Sequence, residues 1–280
     1  GKTSTGMPVY LNRLVVEADF VITLGLIAPH QTAGFSGGRK SIVPGVASFK
    51  TLKIHHSFPY RPYEPTIGVI KDNLFHDSAL EVAKKLPVKY ILNVVFDSHK
   101  KIVGFVAGDV EKAFNEGIKI AKKYCTVEIE EKADIVIASP GGYPRDLNLY
   151  QSQKALGATE ILSKKNGIII LVAECIDGLG EGAFYEWMAK ANSPEEVVER
   201  FKKEGYTTGS NKAFLFSRAL IKNKVIVVST KLSTKKLEKM GIIHYKNLQE
   251  ALDYSIKVKN NNPNRIIIVP RAVSFIPKFL

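Results

Sequence analysis

The 280-residue chain is long enough for a large core and for two domains of ordinary size, and its 45% hydrophobic and 24% charged residues are those of a soluble globular protein. A formal charge of +13 raises nucleic acid or acidic lipid as partners. The lysines, however, scatter as pairs over apparent helix faces (84–85, 122–123, 164–165, 202–203), and no helix-turn-helix, zinc-finger or aromatic RNA-binding motif accompanies them, which argues against nucleic acid. Cys125 and Cys175 lack CxxC spacing, so a disulfide framework or zinc site is excluded and a reducing cytoplasm fits. The longest apolar run, 167–175, is too short to span a membrane, and the opening GKTSTGMPVYLN has no signal-peptide core.

In chain order, 8–19 shows apolar residues at helical spacing, and DFVITLGLI (19–27) reads as a buried strand. A Gly-rich loop follows, then a helix over 47–56 with Ser48 as N-cap. SFPYRPYEPTIG (57–68) is a surface loop. The spacing predicts a helix over 73–86, capped by Asp77 or Ser78, with His76 local or at the surface. YILNVVFD (90–97) and KIVGFVAGD (101–109) read as strands of a hairpin turning at 98–100, and 110–125 as an amphipathic helix. The charged stretch 126–134 is the predicted domain boundary. Strands over 133–139, 167–176, 224–230 and 265–270 alternate with helices. CIDGLGEGAFYEW (175–187) is Gly-rich and offers a loop over the cleft; the favoured reading is a strand-to-helix turn with Phe184 and Trp187 in the core. The fold class is therefore α/β: two domains with mainly parallel sheets and helices on both faces. The first comprises 1–125, with 255–280 as a candidate to rejoin it, and the second 126–254.

The stretch HQTAGFSGGRKSIVPGVASFKTLKIHH (30–56) concentrates chemistry just past the carboxyl end of the first strand, where α/β folds place their ligands. Gly37 and Gly38 let a ligand approach the backbone, Ser36 and the loop N–H groups can hold an anion, and Arg39 can grip a phosphate with two bonds. Lys40 is a potential nucleophilic amine, and His30 and His56 are potential acid/base or metal-binding imidazoles. The loop matches neither GxGxxG nor GxxxxGK[ST], which excludes those nucleotide fingerprints. A solvated turn with structural histidines is the plainer alternative.

This segment closely resembles the corresponding one of the lactate racemase family, whose members depend on a nickel-pincer nucleotide. The resemblance implies that Lys40 carries the cofactor covalently, that His30, ten residues earlier, is a catalytic acid/base, and that His56, sixteen residues later, ligates nickel. His55 matches no family role. GGYPRDLNLYQSQK (141–154) resembles the family segment that supplies the substrate pocket, mapping its tyrosine, glutamine and lysine onto Tyr150, Gln151 and Lys154. These residues open a predicted helix, where an anion is favoured. The family's lactate-type members also place a tryptophan near the substrate; SNKAFLFSR (210–218), with Asn211 or a neighbour, stands there instead, and Trp187 is not its match.

The resemblance implies a racemase or epimerase of a 2-hydroxy acid that works by hydride transfer, with cofactor-biosynthesis enzymes as partners. Upstream, the family carries a second catalytic histidine and an arginine-bearing segment with no match in 1–29. The expectation is an incomplete part of the enzyme, complemented by a missing N-terminal segment or a partner chain, with little two-way turnover alone. The competing reading is a non-catalytic phosphate- or nucleotide-binding α/β module.

Overall fold

The computed structural model describes residues 1–97 and 99–280, which divide into two compact units, Gly1–Val127 and Glu128–Leu280. In the first, β1 (Val21–Ile27), β2 (Val88–Phe96) and β3 (Ile102–Gly108) form a sheet in the order β1–β2–β3. β1 and β2 run parallel, so the chain must cross over between them. That crossover carries the Gly-rich loop, helix α1 (Phe49–His55) and helix α2 (Leu74–Lys84). β2 and β3 are antiparallel. Of the residues expected to turn between them, Ser98 lies outside the described residues, while Asp97 accepts the N–H groups of His99 (2.8 Å) and Lys101 (3.0 Å). Helix α3 (Lys112–Cys125) packs on β2 and β3 through Phe114, Ile118, Ala121 and Cys125.

The period-two alternation of a strand sends Thr23, Ile91, Asn93, Val95 and Val106 into the core. It leaves Ile22, Leu24, Leu26, Tyr90, Leu92 and Phe105 on the other face, all exposed. DFVITLGLI is thus covered on one face only, not buried on both. The expected helix over 8–19 shrinks to Arg13–Val16. The cause is tertiary: Tyr10 donates its N–H to Thr51 Oγ1 and accepts from the Ser48 N–H (both 2.8 Å), which draws the segment out of helical conformation. The cap of α2 is Asn73, which accepts from Phe75 and His76 N–H; Asp77 and Ser78 fall inside the helix. His76 is buried, stacked on Phe114 with ring centroids 6.0 Å apart, rather than at the surface.

In the second unit, β4 (Ala133–Ala138), β5 (Ser163–Val172), β6 (Lys224–Val228), β7 (Ile243–Tyr245) and β8 (Ile266–Val269) form a wholly parallel sheet in the order β7–β6–β5–β4–β8. Helices α4 (Leu156–Leu162), α5 (Ser210–Lys222) and α6 (Leu248–Val258) lie against it. Ile135, Ile137, Ile168, Ile170, Ile226 and Val228 share one buried face with Ala251 of α6. Val136, Ile169, Leu171 and Val227 are buried on the other, where α4 and α5 pack. Such continuous apolar strands are what two-sided cover requires. Residues 255–280 belong to this unit and not to the first, because β8 adds to β4 in parallel. Phe184 and Trp187 are in its core. No helix of the described residues is long and apolar enough to cross a membrane.

Candidate active site

The loop after β1 is held from inside. Ser36 accepts the Ala28 N–H (3.0 Å) and donates its hydroxyl to the Leu26 carbonyl (3.0 Å). Gly37 has φ +83°, and a Cβ there would lie 2.6 Å from Asn93 Oδ1 and 2.7 Å from the Leu26 carbonyl oxygen. The Gly38 N–H donates to Asn93 Oδ1 (2.7 Å), locking the loop to β2. Arg39 has no exposed surface; its guanidinium donates to the carbonyls of Phe35 (2.9 Å), Gly37 (3.2 Å) and Ala33 (2.7 Å) and stands 4.3 Å from the Phe114 ring centroid. Burial brings its pKa down to about 9, against the pull of Asp77. The expectation that Ser36, Gly37, Gly38 and Arg39 cradle a phosphate therefore fails for the groups that would have done it. The hydroxyl, the Gly38 amide and the guanidinium fork all serve the loop, and the glycines are required by close packing.

What this scaffold presents is Lys40, half-buried in the short 3₁₀ turn Gly38–Ser41. Its charge is felt by both His55 and His56 at the end of α1. His55 is a buried structural residue: Nε2 bonds the Phe75 carbonyl (2.8 Å), its ring lies 3.8 Å from that of Phe75, and burial lowers its pKa to about 4. His56, the C-cap of α1, bonds the Leu52 carbonyl through Nδ1 (3.1 Å). A carbonyl only accepts, so Nδ1 carries the proton and Nε2 keeps its lone pair. Burial, then the Arg61 charge, hold the ring well below its ordinary pKa, so it is neutral at pH 7. A neutral imidazole oriented through its other nitrogen by a backbone carbonyl is the usual state of a metal ligand.

Arg61, which the sequence did not single out, joins the pieces. It is buried, donates from Nε to the His56 carbonyl (3.2 Å) and from Nη1 to Thr32 Oγ1 (3.0 Å). Thr32 is two residues past His30, so one guanidinium ties the His56 end of α1 to the His30 turn. His30 accepts the N–H groups of Thr32 (3.2 Å) and Ala33 (3.0 Å) at Nδ1. In the neutral form of the ring the proton is therefore on Nε2. Lys40, His56 and His30 thus belong to one neighbourhood of the first unit.

In the second unit, Tyr150 and Gln151 occupy a helix of only four residues, Leu149–Ser152, and Lys154 the 3₁₀ turn after it. The helical backbone continues from there through the 3₁₀ turn into α4, and the Gln151 N–H at its start is taken by Asn148 Oδ1 (2.9 Å). Lys154 Nζ donates to Gln151 Oε1 (2.8 Å). Lys212 Nζ stands 5.4 Å from the Tyr150 ring centroid and donates to Gln153 Oε1 (2.9 Å). Lys212 and Gln153 are buried and were missed by the sequence reading; a lysine on an apolar helix gives no hint that it points inward. Asn211 is buried with Oδ1 lacking a hydrogen-bond partner. Trp187 packs in the core under Arg200, 4.0 Å from its ring centroid. The 175–182 turn lies against the Tyr150 segment, where a Cβ on Gly180 would meet Tyr150 Cβ at 2.8 Å.

Among the described residues no group of three or more His, Cys, Asp or Glu could hold a metal ion.

Known proteins agree with this architecture. Residues 1–65 match the Lactate racemase N-terminal domain and residues 127–277 the Lactate racemase C-terminal domain. The chain is 40% identical over 281 residues to a lactate racemase of Thermoanaerobacterium thermosaccharolyticum and 34% identical over 283 residues to one of Lactiplantibacillus plantarum, in each case over 99% of its own length. It spans 65% and 66% of those relatives. The apoprotein structure of the Thermoanaerobacterium lactate racemase superposes with a TM-score of 0.93 at 39% identity, covering 99% of this chain and 67% of that one. A Thermotoga maritima protein shares the fold at 17% identity, with a TM-score of 0.71 over 98% of this chain and 70% of that one. Because the C-terminal-domain match alone takes in more than half of the residues, the chain belongs to the lactate racemase family.

Proposed function

We propose that this chain serves a racemase or epimerase of a 2-hydroxy acid, with Lys40 as the covalent anchor of a nickel-pincer nucleotide and His56 as a nickel ligand. The observation that carries the reading is the state of His56: neutral, with Nδ1 donating to the Leu52 carbonyl so that the ring's lone pair is on Nε2, and feeling the charge of Lys40. Nickel accepts imidazole and soft sulfur donors together. When bound, the cofactor supplies the acceptor and donor of hydride. The chain's own residues bind and orient. In the second unit Lys154 offers charge to a substrate carboxylate, with Tyr150 and Gln151 beside it.

His30 moves the hydroxyl proton in this reading, with a condition attached. A base at Nε2 needs its lone pair there and hence a proton on Nδ1, but the Thr32 and Ala33 amides point their hydrogens at Nδ1. The ring must release those two amides, or turn over, before Nε2 can accept a proton. The cofactor's makers are partner enzymes and the cytoplasm its place of assembly. The rival reading, a phosphate-binding module, is weakened by the inward use of Ser36 and Arg39.

The test is intact-mass and nickel analysis of the chain produced together with the cofactor's biosynthetic enzymes. The expected result is one covalent addition with about one nickel, loss of both in Lys40→Ala, and retention of the addition with weakened nickel binding in His56→Ala. An unmodified wild-type chain, or a Lys40→Ala chain that keeps the adduct, overturns the proposal.

A further inference from the structure

The Nε2 lone pair of His56 lies in the plane of the ring, so whatever sets that plane sets where the lone pair points. The bond to Leu52 does only part of this. The Leu52 carbonyl that accepts from Nδ1 at 3.1 Å also accepts the backbone N–H of His56 at 2.9 Å. A shared neutral bond of this kind favours the ring over its flipped form by only about fivefold. A carbonyl also accepts over a broad range of directions, so the bond selects the flip and leaves the plane free to swing.

Two further rings stand against it. The Phe75 centroid is 5.0 Å from that of His56 with the planes at 82°, and the His55 centroid is 5.3 Å away at 76°. Near-perpendicular pairs at these separations are a favoured arrangement of aromatic rings, and swinging the His56 plane would give up both. Phe75 cannot follow such a swing. Its ring lies 3.8 Å from that of His55, whose Nε2 donates to the Phe75 carbonyl (2.8 Å). The Phe75 N–H donates to Asn73 Oδ1 (3.1 Å), and Asn73 Nδ2 donates in turn to the carbonyl of Thr32 (2.9 Å), two residues past His30. Arg61 closes the circuit: its Cζ stands 5.9 Å from the Phe75 centroid, while Nε bonds the His56 carbonyl and Nη1 bonds Thr32. The plane of His56 is thereby referred to the His30 turn. Phe75 is 1% exposed and His55 not at all, so neither touches a ligand itself.

We propose that Phe75 is a positioning residue for the nickel ligand: backed by His55, its ring fixes the plane of the His56 imidazole, so that the Nε2 lone pair is aimed before nickel arrives. The inference rests on the reading of His56 as that ligand. It gives the adjacent His55 a purpose, which is to hold Phe75 by both ring and carbonyl.

Nickel release from the loaded chain into excess chelator, with intact mass reporting the Lys40 adduct, tests this without an activity assay. Phe75→Leu keeps an apolar side chain and removes the ring. It should retain the adduct and release nickel at least tenfold faster, the scale seen when a partner that orients a metal-bound histidine is lost. His55→Gln keeps a donor for the Phe75 carbonyl and removes the second ring; it should speed release about threefold, and it carries the test where Phe75→Leu does not fold. Ile118→Ala, a truncation in the buried face of α3, should lower stability and leave release unchanged. Long-range proton–nitrogen NMR of the unloaded Phe75→Leu chain should still show His56 protonated at Nδ1, because the bond to Leu52 remains. Release at the wild-type rate from folded Phe75→Leu, or from His55→Gln where that variant carries the test, overturns the inference and leaves the His56 assignment standing. Equal acceleration in Ile118→Ala, or loss of the Nδ1 proton signal, assigns the effect to general loosening and also overturns it. A wild-type chain that takes up no nickel removes the underlying assignment and the inference with it.

Discussion

Arg39 shows how a motif can be identified from its letters and misread from its chemistry. A guanidinium beside two glycines suggests a phosphate clamp, because an arginine fork is the commonest device for that purpose. Nothing in a linear pattern says which way the fork points. Here it points inward, to the carbonyls of Ala33, Phe35 and Gly37, over Phe114. Its role is to shape the turn that presents Lys40. Arg39→Gln should therefore destabilise the protein: it leaves buried carbonyls without donors, each worth about 1–3 kcal/mol, for a total of about 3 kcal/mol or more. Arg39→Lys restores charge without the fork and should recover little of it. Urea unfolding measures this. A variant as stable as wild type that merely loses anion affinity would return Arg39 to the role the sequence suggested. The roles proposed for Lys40 and His56 rest instead on the resemblance of the 30–56 segment to the family and on the spacing kept within it.

At the scale of elements, the Gly-rich loop is a splice between β1 and β2, and its glycines answer to that. Strands, the helix after Ser48 and the β2–β3 hairpin were readable because each announces itself by local periodicity or a cap. The helix expected over 8–19 was not formed, because Thr51 and Ser48 claim the backbone of Tyr10, and no local pattern encodes a partner 41 residues away. The same holds for Asn93, whose buried amide seats Gly38 from the middle of β2. Gly37→Ala should cost about 2 kcal/mol or more, since φ +83° is strained for any Cβ and the space is filled by Asn93 and the Leu26 carbonyl. Gly142→Ala, at φ +77° but with nothing within 4 Å, isolates the backbone part and should cost about 1 kcal/mol. Thermal or urea unfolding of the pair decides it: equal losses would mean that packing against Asn93 contributes nothing.

The two units differ as whole bodies in how their sheets meet water. The second buries both faces of a parallel sheet, the arrangement such sheets need. The first covers one face with α3 and the Gly-rich loop, and leaves Ile22, Leu24, Leu26, Tyr90, Leu92 and Phe105 bare across three strands, with Leu24 at 70% and Phe105 at 73% exposure. An apolar patch of that extent is uncommon on a free protein surface and drives association. Composition gave no warning, because these residues alternate with core residues in a pattern that reads as a well-buried strand. A Leu24→Lys, Phe105→Lys chain should bind less hydrophobic dye and self-associate less at high concentration. Its unfolding free energy should stay within about 0.5 kcal/mol of wild type, as for surface substitutions generally. Ile91→Lys, one residue away on the buried face with no exposed surface, should by contrast prevent stable folding. Dye fluorescence, sedimentation and urea titration separate the outcomes: if the double variant unfolds as readily as Ile91→Lys, the face is packed in solution rather than bare.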